Sequence, residues 1–529
     1  MVFTLQRYMF RELLRIFILA TVGLTLILSL GGILSPVQEY GVGPRQAVHI
    51  LLYFLPITLT FVLPMAALFA SALAYGRFAS DNELDACRAS GIGMLTLVYP
   101  GLTLAVLVAI ANLMLSFHVM PYFVHLAERS LKADAKQILF RNIERRGFSK
   151  VPAGKSGNYL IYADYPDMKD NTLYGIIVVE TSSEGIENLI TSGKTTVRFD
   201  SHGATNEVQL VVHDYKQMGS GDSCWDGKVG RLPLRREFGS LLGDDIKFKK
   251  IEEMKQIRAD LMRFDPIARV AETVCTQFVT ELLARDVNEA FAAGGSYEFR
   301  SPTQSVRLSA RRCELREHAV ITLTPPVMVE ERDSSGRSRR LLGKKAAEIL
   351  VQTGTRDPAL SVRVHNPEVV GTGQSLVQFS AVDLAMPEKV RRGLRLPLLE
   401  LATADLAASL GGPPSPILAR QQKELLDEIG DAMTDIRAEV NSRLVFGIGC
   451  VPMILIGIGL GVLQRGGHLL SAFGASCLPA AVLIVAIISG KNLTVSLGVQ
   501  SSTGIIIMWS GLAFLTLLAA IIYGKLRRT

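Results

Sequence analysis

At both ends of this chain the hydrophobic positions neither alternate nor recur on one helical face; they run unbroken. Residues 16–34 carry no charge over roughly 28 Å of helix, enough to cross a bilayer core. Residues 47–75 form a longer run, with Pro56 and Pro64 inside it, and residues 95–117 form a third. Runs of the same kind return only at 444–463, 469–489 and 505–523. In lipid every backbone polar group must be satisfied within its own segment, so each run predicts a helix. The fold expected is an α-helical membrane protein with six transmembrane helices, three before and three after a large polar stretch.

The interior of the chain follows other periods. From 150 to about 218, short β-like runs such as Asn158–Ala163, Tyr174–Glu180, Thr195–Phe199 and Glu207–Val212 are separated by Gly, Asp, Asn and Ser. That spacing predicts an antiparallel β-sandwich or jelly roll. Residues 245–287 instead read as a helical insert, with Ile251, Met254, Ile257, Leu261 and Met262 at helical spacing. A second β-rich stretch runs from 305 to about 377, so the interior is a β-domain carrying an extra α/β segment. Gly193–Asp214 is faintly echoed by Gly343–Asn366, which fits either two related β-modules or chance likeness between short strands. Gly411-Gly-Pro-Pro-Ser-Pro marks a break, and 417–443 reads as a polar, amphipathic helix leading into the fourth span. The domain boundaries expected are 1–118, 119–443 and 444–529.

Charge adds orientation. With the N-terminus cytoplasmic, that side receives Arg7, Arg11, Arg15, Arg77, Arg88, Arg465, Lys525, Arg527 and Arg528, whereas the opposite short loops hold Arg45 and Lys491. This satisfies the positive-inside rule and exports residues 118–443. The net charge of +7 is thereby absorbed by topology, and no nucleic-acid partner is expected. The first run is too long for a signal peptide, and Gly31–Pro36 lacks a small-residue cleavage site, so it reads as a retained helix. Three of the six cysteines (Cys224, Cys275 and Cys313) fall in the exported stretch without metal-ligand or disulfide-framework spacing.

Motifs for chemistry are sparse. Gly154-Lys155-Ser156 suggests a phosphate loop, but Ser149 stands where the motif requires glycine. No H-E-x-x-H or G-x-S-x-G motif occurs, so no catalytic residues, cofactor or metal are expected. The loop after the second span is more informative. Ser80 and Glu83 have the spacing of a capping box, Asp81 and Asp85 surround the first turn, and Gly91 suits the helix end. Glu83 thus reads either as a plain cap or as part of a docking helix with Asp81, Leu84, Asp85 and Arg88 available to a partner; local features leave both readings open. Gly457-x-x-x-Gly461 permits close helix approach and reads chiefly as packing.

Gly76-Arg77-x-x-Ser80-Asp81-Asn82-Glu83-Leu84-x-x-x-Arg88-Ala89-Ser90-Gly91, together with Arg7-Tyr8 and Glu12, Gly457–Val462, Arg465-Gly-Gly and Trp509, resembles the LptF/LptG family of permeases. The resemblance lies in the membrane parts, roughly 1–150 and 440–529. Two departures accompany it: Asn441 stands where the family often has histidine in an E-x-H-x-R stretch, and the outer domain is much longer. The family implies an ABC-type transporter subunit in the bacterial inner membrane, both termini cytoplasmic and the β-domain periplasmic. It would extract lipopolysaccharide and pass it to LptC- or LptA-like β-jelly-roll proteins. An LptB-like ATPase would dock on the 80–88 helix, with Glu83 in the place of the family's acidic coupling residue. A second LptF/LptG-like permease, a copy or a paralogue, would complete the cavity. Arg45 and Lys491 are the lipid-headgroup candidates, against a plain topological role. The alternative is a membrane anchor or scaffold that displays a β-domain without transporting anything.

Overall fold

The computed structural model describes residues 2–528 apart from 41–43, 153–156, 183–184, 201–206, 220–223, 235–244, 302–303, 317–319, 334–337, 345–346, 353–358, 372–377, 394–396, 398, 464–468 and 497–501. The Gly154–Ser156 motif lies outside them. The chain divides into two compact units, Met1–Met254 with Asp435–Thr529, and Lys255–Thr434.

In the first unit, helices α1 (Val2–Tyr40), α2 (Pro44–Ser80), α3 (Glu83–Ala89), α4 (Met94–Met114) and α5 (Met120–Arg146) precede a sheet. Among the described residues, six helices are long and apolar enough to cross a membrane: Phe3–Gly31, Leu51–Ser80, Met94–Ala127, Pro416–Leu463, Leu478–Ser496 and Thr503–Leu526. Of the last three, the second and third belong to helices Leu469–Ser496 and Thr503–Arg528. The apolar part of the Pro416–Leu463 helix is the most enclosed, since 72% of that window is buried against 17% for α1. Its Val445, Met453, Ile454, Ile458 and Val462 share one core with Leu13, Leu68, Tyr75, Leu97, Leu104, Leu483 and Leu515. Small residues make that approach possible. A Cβ at Gly461 would lie 2.6 Å from the Ala72 carbonyl and 3.0 Å from the Gly76 nitrogen, and one at Gly457 would meet Leu68 and Ser71.

The sheet is built from β1 (Phe148–Pro152), β2 (Gly157–Tyr162), β3 (Tyr165–Asp167), β4 (Thr172–Ser182), β5 (Gly185–Asp200), β6 (Glu207–Gly219) and β7 (Cys224–Leu234). Its order is β1-β2-β4-β5-β6-β7 with β3 on β4, an antiparallel meander. Leu139, Phe140 and Ile143 of α5 pack onto its apolar face, made by Ile161, Leu173, Val178, Ile190, Val197 and Leu210. Burying three such side chains contributes about 1.5–3 kcal/mol each.

The stretch read as a single helical insert resolves into α6 (Ile251–Ala259), a 3-10 turn at Leu261–Arg263, and α7 (Asp265–Ala292). Phe264 is extended and caps α7, and Pro266 stands in the first turn, where its missing N–H leaves no helical bond unmade. In the second unit, α7 lies against strands of two five-stranded antiparallel sheets. They comprise β8 (Tyr297–Arg300), β9 (Gln304–Ser309), β10 (Cys313–Arg316), β11 (Val320–Leu323), β12 (Val327–Asp333), β13 (Ser338–Gly343), β14 (Ala347–Gln352), β15 (Ala359–His365), β16 (Pro367–Val369) and β17 (Gln378–Ala385). Their orders are β10-β11-β14-β15-β17 and β16-β13-β12-β9-β8. Short helices α8 (Glu388–Gly393) and α9 (Leu406–Leu410) follow. The Gly411–Pro416 break is held by α7, where Arg285 donates to the Leu410 carbonyl at 2.7 Å and buried Glu281 accepts from Ser415. We number the remaining helices α10 (Pro416–Leu463), α11 (Leu469–Ser496) and α12 (Thr503–Arg528). The amphipathic 417–443 segment and the fourth apolar run are thus one continuous helix.

Candidate functional site

Two places in the first unit gather the residues singled out by sequence. The first is α3 and its flanks. Below it, the Tyr75 hydroxyl inserts into the α4 ladder, donating to the Leu97 carbonyl (2.9 Å) and accepting from the Gly101 amide (3.2 Å). This clamps the end of α2 to the start of α4. Arg77 then pairs with Glu12 of α1 at 3.0 Å, joining two of the motifs that carry the family resemblance.

The capping box does not form. Ser80 is the last residue of α2, and its hydroxyl donates back to the Gly76 carbonyl at 2.9 Å. Asn82 caps α3 with a left-handed backbone (φ 55°) and no side-chain bond, so the turn is made by backbone conformation. Asparagine tolerates that region better than most residues, which explains why the S-x-x-E spacing misleads here. Leu84 is buried in the helical core, while Asp81 is exposed and Glu83, Asp85 and Arg88 are half-exposed. At the other end the Ile92 amide bonds the Cys87 carbonyl and the Gly91 amide bonds Arg88, with Gly91 at φ 86°. This is a Schellman ending, which requires glycine at that position. The result is a two-turn helix pinned by one leucine, with its acidic first turn presented outward.

The second place lies at the far end of α4, about 30 Å away for a helix of 21 residues. There the helix loosens into a π turn at Leu115–Val119. At its end the Met120 amide makes an i→i−5 bond to Leu115; the next donor would be Pro121, which has no N–H. The Ser116 carbonyl is therefore left for another donor, and Arg443 of α10 supplies it at 3.0 Å. The same guanidinium donates to the Lys247 carbonyl (2.8 Å), the Lys249 carbonyl (3.2 Å) and Glu439 Oε1 (2.8 Å). Glu439 Oε2 in turn accepts from Lys491 Nζ of α11 at 2.6 Å. Arg443 and Glu439 side chains are 4% and 10% exposed, so this is a buried charge network whose carbonyl partners satisfy the cation. Trp509 Nε1 donates to Asn441 Oδ1 at 3.1 Å, filling the place where the family often has histidine.

Sequence reading thus brings Ser80, Asp81, Glu83, Leu84, Asp85 and Arg88 together on one segment. Lys491, named for lipid headgroups, stands with its charge already against Glu439. Arg45 lies in the first turn of α2, and its side chain is outside the described residues. Arg443 and Glu439 were passed over, although a Glu–Arg pair four apart at the mouth of an apolar run is a visible signal.

Near this junction, His125 and Glu253 approach to 3.1 Å, and the Lys250 amide donates to Glu253 at the start of α6. Partial burial pushes the Glu253 carboxyl up, but that amide and the His125 and Lys249 charges outweigh it and hold it below the usual range.

Residues 7–218 match the family described as "Lipopolysaccharide export system permease LptF/LptG". No curated protein matches the chain.

Proposed function

We propose, from the premise that this chain belongs to the LptF/LptG family through residues 7–218, that it is the permease subunit of an ABC-type lipopolysaccharide exporter. The family match carries the reading; the six membrane-length helices agree with it. In this reading both termini lie in the cytoplasm, and the meander sheet and the Lys255–Thr434 unit lie in the periplasm, which the distribution of Arg and Lys supports.

In this reading α3 is the coupling element. An LptB-like ATPase receives its acidic first turn, with Glu83 and Asp81 as the main contacts and Ser80, Asp85 and Arg88 beside them. Buried Leu84 and the Tyr75 clamp pass the ATPase's movement into α2 and α4. A second LptF/LptG-like permease faces the exposed apolar side chains of α1 (Ile18, Val22, Leu26) and α11 (Leu478, Val485, Ile488). Between the two subunits the acyl chains stay covered, which matters because each exposed CH₂ costs about 0.8 kcal/mol. Lipid then passes along the β-sheet to LptC- or LptA-like jelly rolls that join sheet edges across chains. Arg45 and Lys491 are the headgroup contacts in this reading, and a phosphate reaching Lys491 must compete with Glu439.

Co-expression with a partner permease and ATPase, followed by pull-down, tests the coupling element. Wild type should retain the ATPase in stoichiometric amount and Glu83→Lys should lose it. An ATPase that never binds, or binds both equally, would leave the anchor or scaffold reading in its place.

A further inference from the structure

At the α3 end of the helices a cavity of about 650 Å³ opens between the 91–95 turn and the last turns of α12. Its walls are Ile92, Met94, Leu95, Tyr523 and Leu526, with Arg88 as the charged group among them. That volume is typical of a small-molecule site. Among the described residues no carboxylate pairs with Arg88, and the acidic residues of α3 do not line the cavity. The Tyr523 hydroxyl is already committed to the Leu455 carbonyl at 3.2 Å, so that residue contributes its ring.

Two features of position define the occupant. The cavity sits at the ends of two membrane-length helices, Met94–Ala127 and Thr503–Leu526, hence at the depth of lipid headgroups. Its rim residue Leu95 is 76% exposed and continues on the same face of α4 into Tyr99 (58%), Leu102 (38%) and Val106 (44%). Those positions recur at i, i+4, i+7 and i+11, one apolar track running into the bilayer. A cation in a pocket between helix ends, opening onto a track that acyl chains can follow, matches a phospholipid better than a protein side chain.

We propose that this cavity holds one anionic phospholipid, its phosphate on Arg88 and an acyl chain along Leu95, Tyr99 and Leu102. The site needs only that the helices span a membrane; in the transport reading Arg88 stands at the edge of the ATPase contact, so the lipid is tested on the isolated chain.

The test is native mass spectrometry of the full-length chain in detergent, with phosphatidylglycerol or phosphatidylcholine added at equal concentration. Wild type should retain one phosphatidylglycerol with about fivefold preference, the effect of one cation at a membrane surface. Arg88→Gln should erase that preference. Gly524→Leu should lower retention of both lipids, because Gly524 lines the cavity and a Cβ there meets nothing within 4 Å, so the added side chain grows from open space at the wall. Unfolding temperatures of both variants, compared with wild type, confirm that each is folded. Equal retention of the two lipids by wild type, or a preference that survives both substitutions, overturns the site. So does absence of any preference in the isolated chain together with Arg88-dependent capture of an ATPase subunit, which would assign the cavity to a protein.

Discussion

Replacing Arg443 by methionine keeps most of the side chain's volume and removes its charge and its donors. The Ser116, Lys247 and Lys249 carbonyls then lose their partner, and Glu439 keeps only Lys491. A buried acceptor left unpaired costs about 1–3 kcal/mol, and breaking a buried ion pair from one side costs about 3–5 kcal/mol in total. We therefore expect Arg443→Met to destabilise the first unit by about 3–5 kcal/mol. The comparison is Arg77→Met, whose Glu12 pair has side chains 39% and 21% exposed and belongs to the class that contributes about 0–1 kcal/mol. Trp509 reports on the junction directly, since it bonds Asn441 two residues from Arg443. The only other tryptophan is Trp225, so Trp225→Phe leaves Trp509 as sole reporter. Unfolding in mixed micelles, titrated with a denaturing detergent and followed by Trp509 emission, gives the difference. Adding Glu439→Gln completes a double-mutant cycle, in which Arg443→Met should do less harm once Glu439 is neutral. Equal losses for Arg443→Met and Arg77→Met would refute the claim that the buried Arg443–Glu439 pair and its carbonyl partners make this junction strong.

Three further outcomes follow from the packing. Gly461→Leu should destabilise the fold by about 1–3 kcal/mol or more and lower its unfolding midpoint, because its Cβ meets backbone atoms of α2 at 2.6 and 3.0 Å; a midpoint equal to that of Gly524→Leu would contradict this. Burial pushes the Cys313 thiol up to about 12, with the Arg312 charge opposing weakly, so its thiolate is scarce at pH 8. Alkylation of the native protein should modify half-exposed Cys87 and spare Cys313 until denaturant is added, and equal rates would count against the buried placement. Glu253 has a lowered carboxyl value, so its contribution is present above the ordinary 4.5 and is lost as pH falls through the lowered folded value. Glu253→Gln should thus narrow its stability gap to wild type on acidification to pH 3; a constant gap would remove the role of the ionised carboxylate.

The membrane helices were legible because a bilayer imposes a length and excludes charge, and unbroken runs reveal both. Where helices stop was not legible, because a helix need not end where its apolar run ends. α1 begins at Val2, and α10 begins in polar sequence at Pro416. The capping box was misread because spacing cannot show that Asn82 would take a left-handed conformation and let α2 run on through Ser80. Glu439 and Arg443 were visible as a pair, but carbonyls at 116, 247 and 249 are far away in sequence, and a backbone acceptor carries no residue signature. The echo between 193–214 and 343–366 has a physical content: in each, the paired runs are antiparallel neighbours, β5 with β6 and β14 with β15.

The central claim is lipopolysaccharide export, and reconstitution tests it most directly. Proteoliposomes containing lipopolysaccharide, this chain, a partner permease and the ATPase are given ATP and a soluble jelly-roll acceptor, and lipopolysaccharide on the acceptor is counted over time. The account predicts ATP-dependent transfer that requires this chain and falls to background with Glu83→Lys. Transfer that is equal with and without the chain, in a complex that still hydrolyses ATP, would contradict it.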